Sequence, residues 1–312
     1  MRIPFLNESQ ALAVQNSLSP ANRARVLLAG ASRATASFPG KTRLMHACDR
    51  GLRRLSANPD PVAVSVDDVC FLAQTTDTND FKLMYGCGFE PAVIEFLVRT
   101  AGSRAVTIWD VGANVGVVSL LVAARCSSAH LVAIEASPRI ARRLEANLAC
   151  NPGLKPRVQT LHAALTAESG EARFYESAES FNGGVGRLDR AHNTVARPCS
   201  VSAWSGDDLI ARGLAAPPDI VKLDVEGFEY PALCGLARHL RQVGCTVVFE
   251  HEPYRLSSSN NPPSPVAWLR ELGYGLSMML DSGHVVPLAA DLPDHHCDLV
   301  ASPVHGSHNA AS

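Results

Sequence analysis

The 312-residue sequence lacks the marks of several large protein classes. Its nine cysteines contain no Cys-x-x-Cys spacing, and an odd number cannot pair completely. That argues against a zinc ribbon and a thioredoxin-type dithiol. Free thiols in a reducing compartment, the cytoplasm, are the expectation. Neither sign of charge dominates: 28 basic residues stand against 30 acidic ones, for a net charge of -2. No global field therefore draws the chain to nucleic acid or to an anionic membrane. Aromatics are scarce at 6%, which gives little material for a base-stacking track. The longest apolar stretch, Val115 to Ala124, is about half the length of a bilayer span. The opening Met1 to Gln10 has no continuous apolar core and carries Glu8, unlike a secretory leader. No repeat with a period of about 20 to 50 residues recurs.

What is present is a chain able to bury a large core, 46% hydrophobic and 19% charged. Residues 1–85 are weakly patterned and read as an N-terminal extension, either plain cover or a lid. Within it, Ala21 to Ala36 is moderately helical, and Val62 to Val66 with Val69 to Ala73 suits a hairpin. From Pro91 the pattern strengthens. Pro91 opens a helix, and Ser137 and Pro138 supply the N-cap and first position of another. Apolar runs at Val106 to Asp110, Leu131 to Glu135, Arg157 to Ala163, Ile220 to Asp224 and Thr246 to Glu250 alternate with helices. Such an alternation means a parallel sheet covered on both faces. Residues 86–304 form this domain, with late strands near Gly275 to Leu280 and Cys297 to Ala301. Residues 305–312 read as a frayed tail.

Ligands of open α/β sheets bind beyond the carboxyl ends of the strands. The first such end is Trp109-Asp-Val-Gly-Ala-Asn-Val-Gly116. Gly112 permits a tight turn, Asn114 tolerates a left-handed backbone, and Gly116 permits close helix packing. The spacing is not Gly-x-Gly-x-x-Gly, which disfavours a dinucleotide pyrophosphate site. Asp110, two residues before the first glycine, suits a positively charged ligand such as S-adenosylmethionine. Glu135 closes the next strand and can accept from both hydroxyls of a ribose. Ala163 and Ala164, small residues after the third strand, leave room for a flat ring. Lys222, Asp224, Glu226 and Glu229 crowd the fourth strand end, where either a salt-bridge and capping role or a functional one fits. Glu250 and His251 close the fifth strand, and His251 is placed next to Asp224 by this reading.

Taken together, Asp-Val-Gly-Ala-Asn-Val-Gly at 110 to 116, Glu135, Asn147 with Asn151, Lys-Leu-Asp-Val-Glu-Gly-Phe-Glu at 222 to 229, Gly235 and Glu-His at 250 to 251 resemble the FkbM-type methyltransferases. The likeness spans about Glu90 to Gly275. It implies an α/β class I methyltransferase Rossmann-like fold, with a mostly parallel seven-stranded sheet and helices on both faces. It implies S-adenosylmethionine as cofactor and O-methylation of a hydroxyl on a small metabolite, polyketide or sugar. On this resemblance Gly112, Ala113, Asn114 and Gly116 hold the methionine part of the cofactor, Asp110 assists, Glu135 holds the ribose, and Ala163 and Ala164 flank the adenine. Asp224 approaches the amino group or the acceptor. His251 is the first candidate base and Asp224 the second. A magnesium ion on Asp224 and Glu250 is a further, less favoured route. The expected partner is a small-molecule acceptor, with no nucleic acid and no membrane. The loop Glu179 to Asp189 is a candidate acceptor-pocket segment. A nicotinamide-dependent oxidoreductase and a non-catalytic cofactor-binding protein are the alternatives.

Overall fold

In the computed structural model, residues 19–87, 90–176, 197–252, 264–288 and 292–304 are described. The tail at 305–312 and the loop at 179–189 lie outside them.

The extension is ordered into two helices, a hairpin and a third helix: α1 (Pro20–Ala34), α2 (Lys41–Arg54), β1 (Val62–Val66), β2 (Val69–Ala73) and α3 (Thr78–Tyr85). Asp77 caps α3, its side chain accepting from the amides of Asn79 and Asp80, and Gly86 ends it in a left-handed conformation. After α4 (Pro91–Ala101) come β3 (Thr107–Val111), α5 (Val117–Arg125), β4 (His130–Glu135), α6 (Pro138–Ala149) and β5 (Val158–His162). Short β6 (Ala164–Leu165), β7 (Gly170–Glu176) and β8 (Arg197–Trp204) make a separate three-stranded sheet. The main sheet resumes with α7 (Gly206–Ala211), β9 (Ile220–Leu223), α8 (Glu229–Gly235), α9 (Ala237–Gln242) and β10 (Thr246–His251). It closes with α10 (Pro265–Glu271), β11 (Tyr274–Met279), β12 (Val285–Pro287) and β13 (Cys297–Pro303).

The main sheet runs β12-β11-β13-β10-β9-β3-β4-β5. The five strands from β10 to β5 are parallel, while β13 lies antiparallel between β10 and β11. The sheet therefore has an eighth strand where seven were expected. Its turn, Leu280 to His284, closes a hairpin on β11, and the eighth strand is the exposed edge that ends in Pro287. Between β9 and β10 the chain forms two short helices, broken at Leu236.

Two apolar clusters sandwich the sheet. One carries Ile108, Ile220, Val248 and Val300 against α4, α5 and the extension. The other carries Trp109, Leu223, Phe249 and Leu299 against α8 to α10. Phe71 and Phe81 of the extension share the first cluster with Leu97 and Leu120, so packing continues across residue 85. Polar clamps add to it. Asn147 Oδ1 accepts from the Leu72 amide at 2.8 Å, and Asn151 binds the amide and carbonyl of Cys70 at 2.9 and 2.8 Å. Asn147 and Asn151 thus join the domain to its extension.

Candidate active site

The chain runs from β3 outward to β5, then returns to β9 on the other side of β3. This reversal opens a crevice beyond the carboxyl ends of β3 and β9. A cleft of about 260 Å³ occupies it, lined by Gly112, Asn114, Glu135, Ala163, Ala164 and Asp224 among others. Six of the residues singled out from the sequence are thus brought together.

The loop after β3 is shaped by close approach. Gly112 has φ of 77°, and a Cβ there would lie 1.9 Å from the Asp224 carbonyl oxygen. Gly116 has φ of 87°, and its Cβ would meet Leu144 at 2.4 Å. Only glycine fits either position. Asn114 takes the left-handed turn between them, at φ 51°. The amides of Gly112 and Ala113 both donate to the Ile134 carbonyl, at 2.9 and 3.0 Å. Ala113 is buried beneath the loop with Ala133 and Leu144.

Glu135 is 8% exposed and fully engaged. Its Oε2 accepts from the Asn114 amide at 2.9 Å and its Oε1 from the Ser137 amide at 2.8 Å. Burial pushes its carboxyl up to about 7, against the pull of those two amides. Its carboxylate has lone pairs left for hydroxyls entering the cleft. Ala163, Ala164, Leu165 and Phe174 continue the wall from there, and their small or apolar side chains form a slot for a flat ring.

The opposite corner is built differently. Asp110, Lys222 and Glu250 project to one face of the sheet, because Asp110 pairs with Lys222 and Lys222 with Val248, two residues before Glu250. Lys222 Nζ stands 3.4 Å from carboxylate oxygens of Glu90, Asp110 and Asp224. Burial would pull Lys222 down, but the three carboxylates outweigh it and hold the ammonium charged. Burial pushes Glu90 up to about 7. Ser119 Oγ donates to Asp110 Oδ2 at 2.6 Å. Glu90 Oε2 and Asp110 Oδ1 are buried acceptors without a hydrogen bond. Three carboxylates around one lysine leave an electronegative corner, which suits a ligand bearing an ammonium or sulfonium. Asp110 itself is fully buried and lies behind the cleft wall rather than in it.

The structure separates His251 from Asp224. Strand alternation turns His251 to the face of Phe249, away from Asp224 and Glu250. It is buried, and its Nε2 bonds the Pro293 carbonyl at 3.0 Å. Glu250 takes the place beside Asp224. Burial, then the neighbouring Asp224, pushes Glu250 up to about 7, and His296 opposes that shift. Glu250, Glu252 and His296 bring their ligand atoms within 4.8 Å of one another, a donor set a divalent ion accepts. Asp224 is not part of that set. Glu229 has a capping role, its Oε1 accepting from the amides of Val225 and Gly227.

Thr78, Asn79 and Lys82 of α3 also line the cleft, as does Phe174 of β7. Sequence reading missed all four. An Asp77 cap nine residues before a closing Gly86 was the available signal for α3.

The strand order, with its reversal at β3, is that of the class I methyltransferase Rossmann-like fold. Residues 110–276 match the methyltransferase FkbM domain, more than half of the chain, and the protein belongs to that family. The hexuronic acid methyltransferase AglP of Haloferax volcanii is 32% identical over 164 residues, 52% of this chain and 62% of that protein. The chain thus matches less than two thirds of that relative's length. Among solved structures, methyltransferase FkbM from Methylobacillus flagellatus is similar at a TM-score of 0.45 and 12% identity, covering 95% of this chain and 66% of that one. The O-methyltransferase from Bacillus cereus in complex with SAH is similar at 0.40 and 12%, covering 88% and 96%. Both likenesses are loose. S-adenosylmethionine is the methyl donor of the family, and the residues of the cleft fit it: hydroxyl acceptors at Glu135, a ring slot at Ala163 and Ala164, and the Asp224 carboxylate for positive charge. Asn114, standing where a dinucleotide fingerprint has glycine, and the family membership leave the nicotinamide reading without support. Among the described residues no helix is long and apolar enough to cross a membrane.

Proposed function

We propose that the protein transfers a methyl group to a hydroxyl of a sugar acid, a hexuronate or a close analogue. When bound, S-adenosylmethionine supplies an electrophilic methyl carbon on a sulfonium. Glu135 and the loop at Gly112 to Asn114 fix one end of that cofactor. Asp224, at the mouth of the cleft with its side chain 32% exposed, orients the acceptor hydroxyl. Glu250 takes the hydroxyl proton, since a carboxyl lifted toward neutrality is a better base than an ordinary one. Alignment of hydroxyl and methyl carbon supplies the larger share of the rate. The observation that carries the sugar-acid reading is the 32% identity with a hexuronic acid methyltransferase over 164 residues.

The test is S-adenosylhomocysteine release from the purified chain with methyl glucuronoside, methyl glucoside and a simple phenol as acceptors. Turnover fastest with the glucuronoside is expected. Turnover with the phenol alone would overturn the sugar-acid assignment.

A further inference from the structure

The cleft is lined by acids at Glu135, Asp224 and Glu226, and by a single basic residue among the described ones, Lys82. Lys82 is exposed, and its ammonium has neither ion pair nor hydrogen bond among the described residues. This is unexpected beside so many carboxylates. Its place in the last turn of α3 complements the helix dipole, which accounts for a positive charge but not for its position in the cleft.

The helix that presents it is fixed. Arg143 of α6 bridges Asp77, at 3.4 Å, and Asp80, whose Oδ2 also accepts from the Gln74 amide at 2.6 Å. Both acids are buried, and Phe81 and Tyr85 anchor the other side of the helix in the core. Lys82 is therefore an exposed side chain on a helix packed into the core, facing a cleft whose other charges are negative.

We propose that Lys82 is a carboxylate-binding residue, and that the extension contributes it to the ligand site. This rests on the function proposed above. A carboxylate reaches the cleft from two sources: the methionine end of the cofactor, or a sugar-acid acceptor. In the first case Lys82 and Asp224, which both line the cleft, together read a zwitterion, the lysine taking its negative group and the carboxylate its positive one. In the second, Lys82 sets specificity for acidic over neutral sugars. Either way the extension is part of the site rather than plain cover.

The experiment is isothermal titration of the full chain and its Lys82→Met and Lys82→Arg variants. The probes are S-adenosylhomocysteine, 5′-methylthioadenosine, which lacks both amino group and carboxylate, and glucuronate added to the complex with S-adenosylhomocysteine. An exposed ion pair and a charge-assisted hydrogen bond together predict a loss of about five- to tenfold on Lys82→Met, with partial recovery on Lys82→Arg. If S-adenosylhomocysteine weakens and 5′-methylthioadenosine does not, the cofactor carboxylate is the partner. If S-adenosylhomocysteine is unchanged and glucuronate weakens, the acceptor carboxylate is. If neither affinity depends on residue 82, the proposal is overturned while the function above stands. If the unaltered chain binds no S-adenosylhomocysteine, both fall.

Discussion

Two buried acids at neighbouring strand ends, one in the cleft wall and one behind it, make a useful pair. Glu135 and Asp110 each lie at or next to the carboxyl end of a parallel strand, and each is buried. Glu135 has both oxygens satisfied by backbone amides from a fixed loop and a helix start. Asp110 has one oxygen satisfied by Ser119, and the other faces Lys222 without a hydrogen bond, as does one oxygen of Glu90. A carboxylate held by amides has fixed orientation and spare lone pairs, which suits neutral hydroxyls. Carboxylates that outnumber their cation carry uncompensated charge, which suits a positive ligand. The same residue type at neighbouring strand ends is thus held in two different ways, one carboxylate by amides and the other by a shared lysine.

The comparison breaks most sharply at Lys222. Its replacement by Met leaves three carboxylates without a buried cation. Thermal and urea unfolding should show a loss of about 3 to 5 kcal/mol. The loss should shrink at lower pH, as Glu90 and its neighbours take up protons. A stability unchanged from that of the unaltered chain would mean the corner carries no stored charge.

The second break is by pH. Glu135 must be ionised to accept two hydroxyls, and burial pushes its carboxyl up to about 7. Affinity for S-adenosylmethionine should therefore fall about tenfold from pH 8 to pH 6. The dependence should flatten in Glu135→Gln. A flat profile in the unaltered chain would place the ionisation elsewhere.

The smallest effect concerns His251. Glutamine there can keep the bond to the Pro293 carbonyl, and the side chain lies on the other face of the sheet from Asp224. Turnover of His251→Gln should change by no more than about twofold, and its pH profile should keep the limb of a base that titrates near 7. Loss of that limb would return the base role to His251.

Much of this was legible in the sequence. Five apolar runs, four of them ending in acids, announced the parallel strands, and the Gly112, Asn114 and Gly116 pattern announced the loop at the first strand end. Ser137 and Pro138 marked a helix start that the structure keeps. What escaped has physical reasons. The three-stranded sheet is built from exposed, polar strands such as Gly170–Glu176, which carry no apolar run. The place of Lys82 depends on tertiary packing of α3 through the bond of Arg143 to Asp80, 63 residues apart. The separation of His251 from Asp224 was legible and went unused. Glu250 and His251 are adjacent on one strand, so only one of them can share a face with Asp224.

The most direct measurement is calorimetric titration of the unaltered chain with S-adenosylmethionine and with NAD, repeated on Glu135→Ala. Two charge-assisted hydrogen bonds predict saturable binding of S-adenosylmethionine alone, weakened in the variant by about 2 to 3 kcal/mol. Binding of NAD, or an affinity for S-adenosylmethionine that is indifferent to residue 135, would contradict the account.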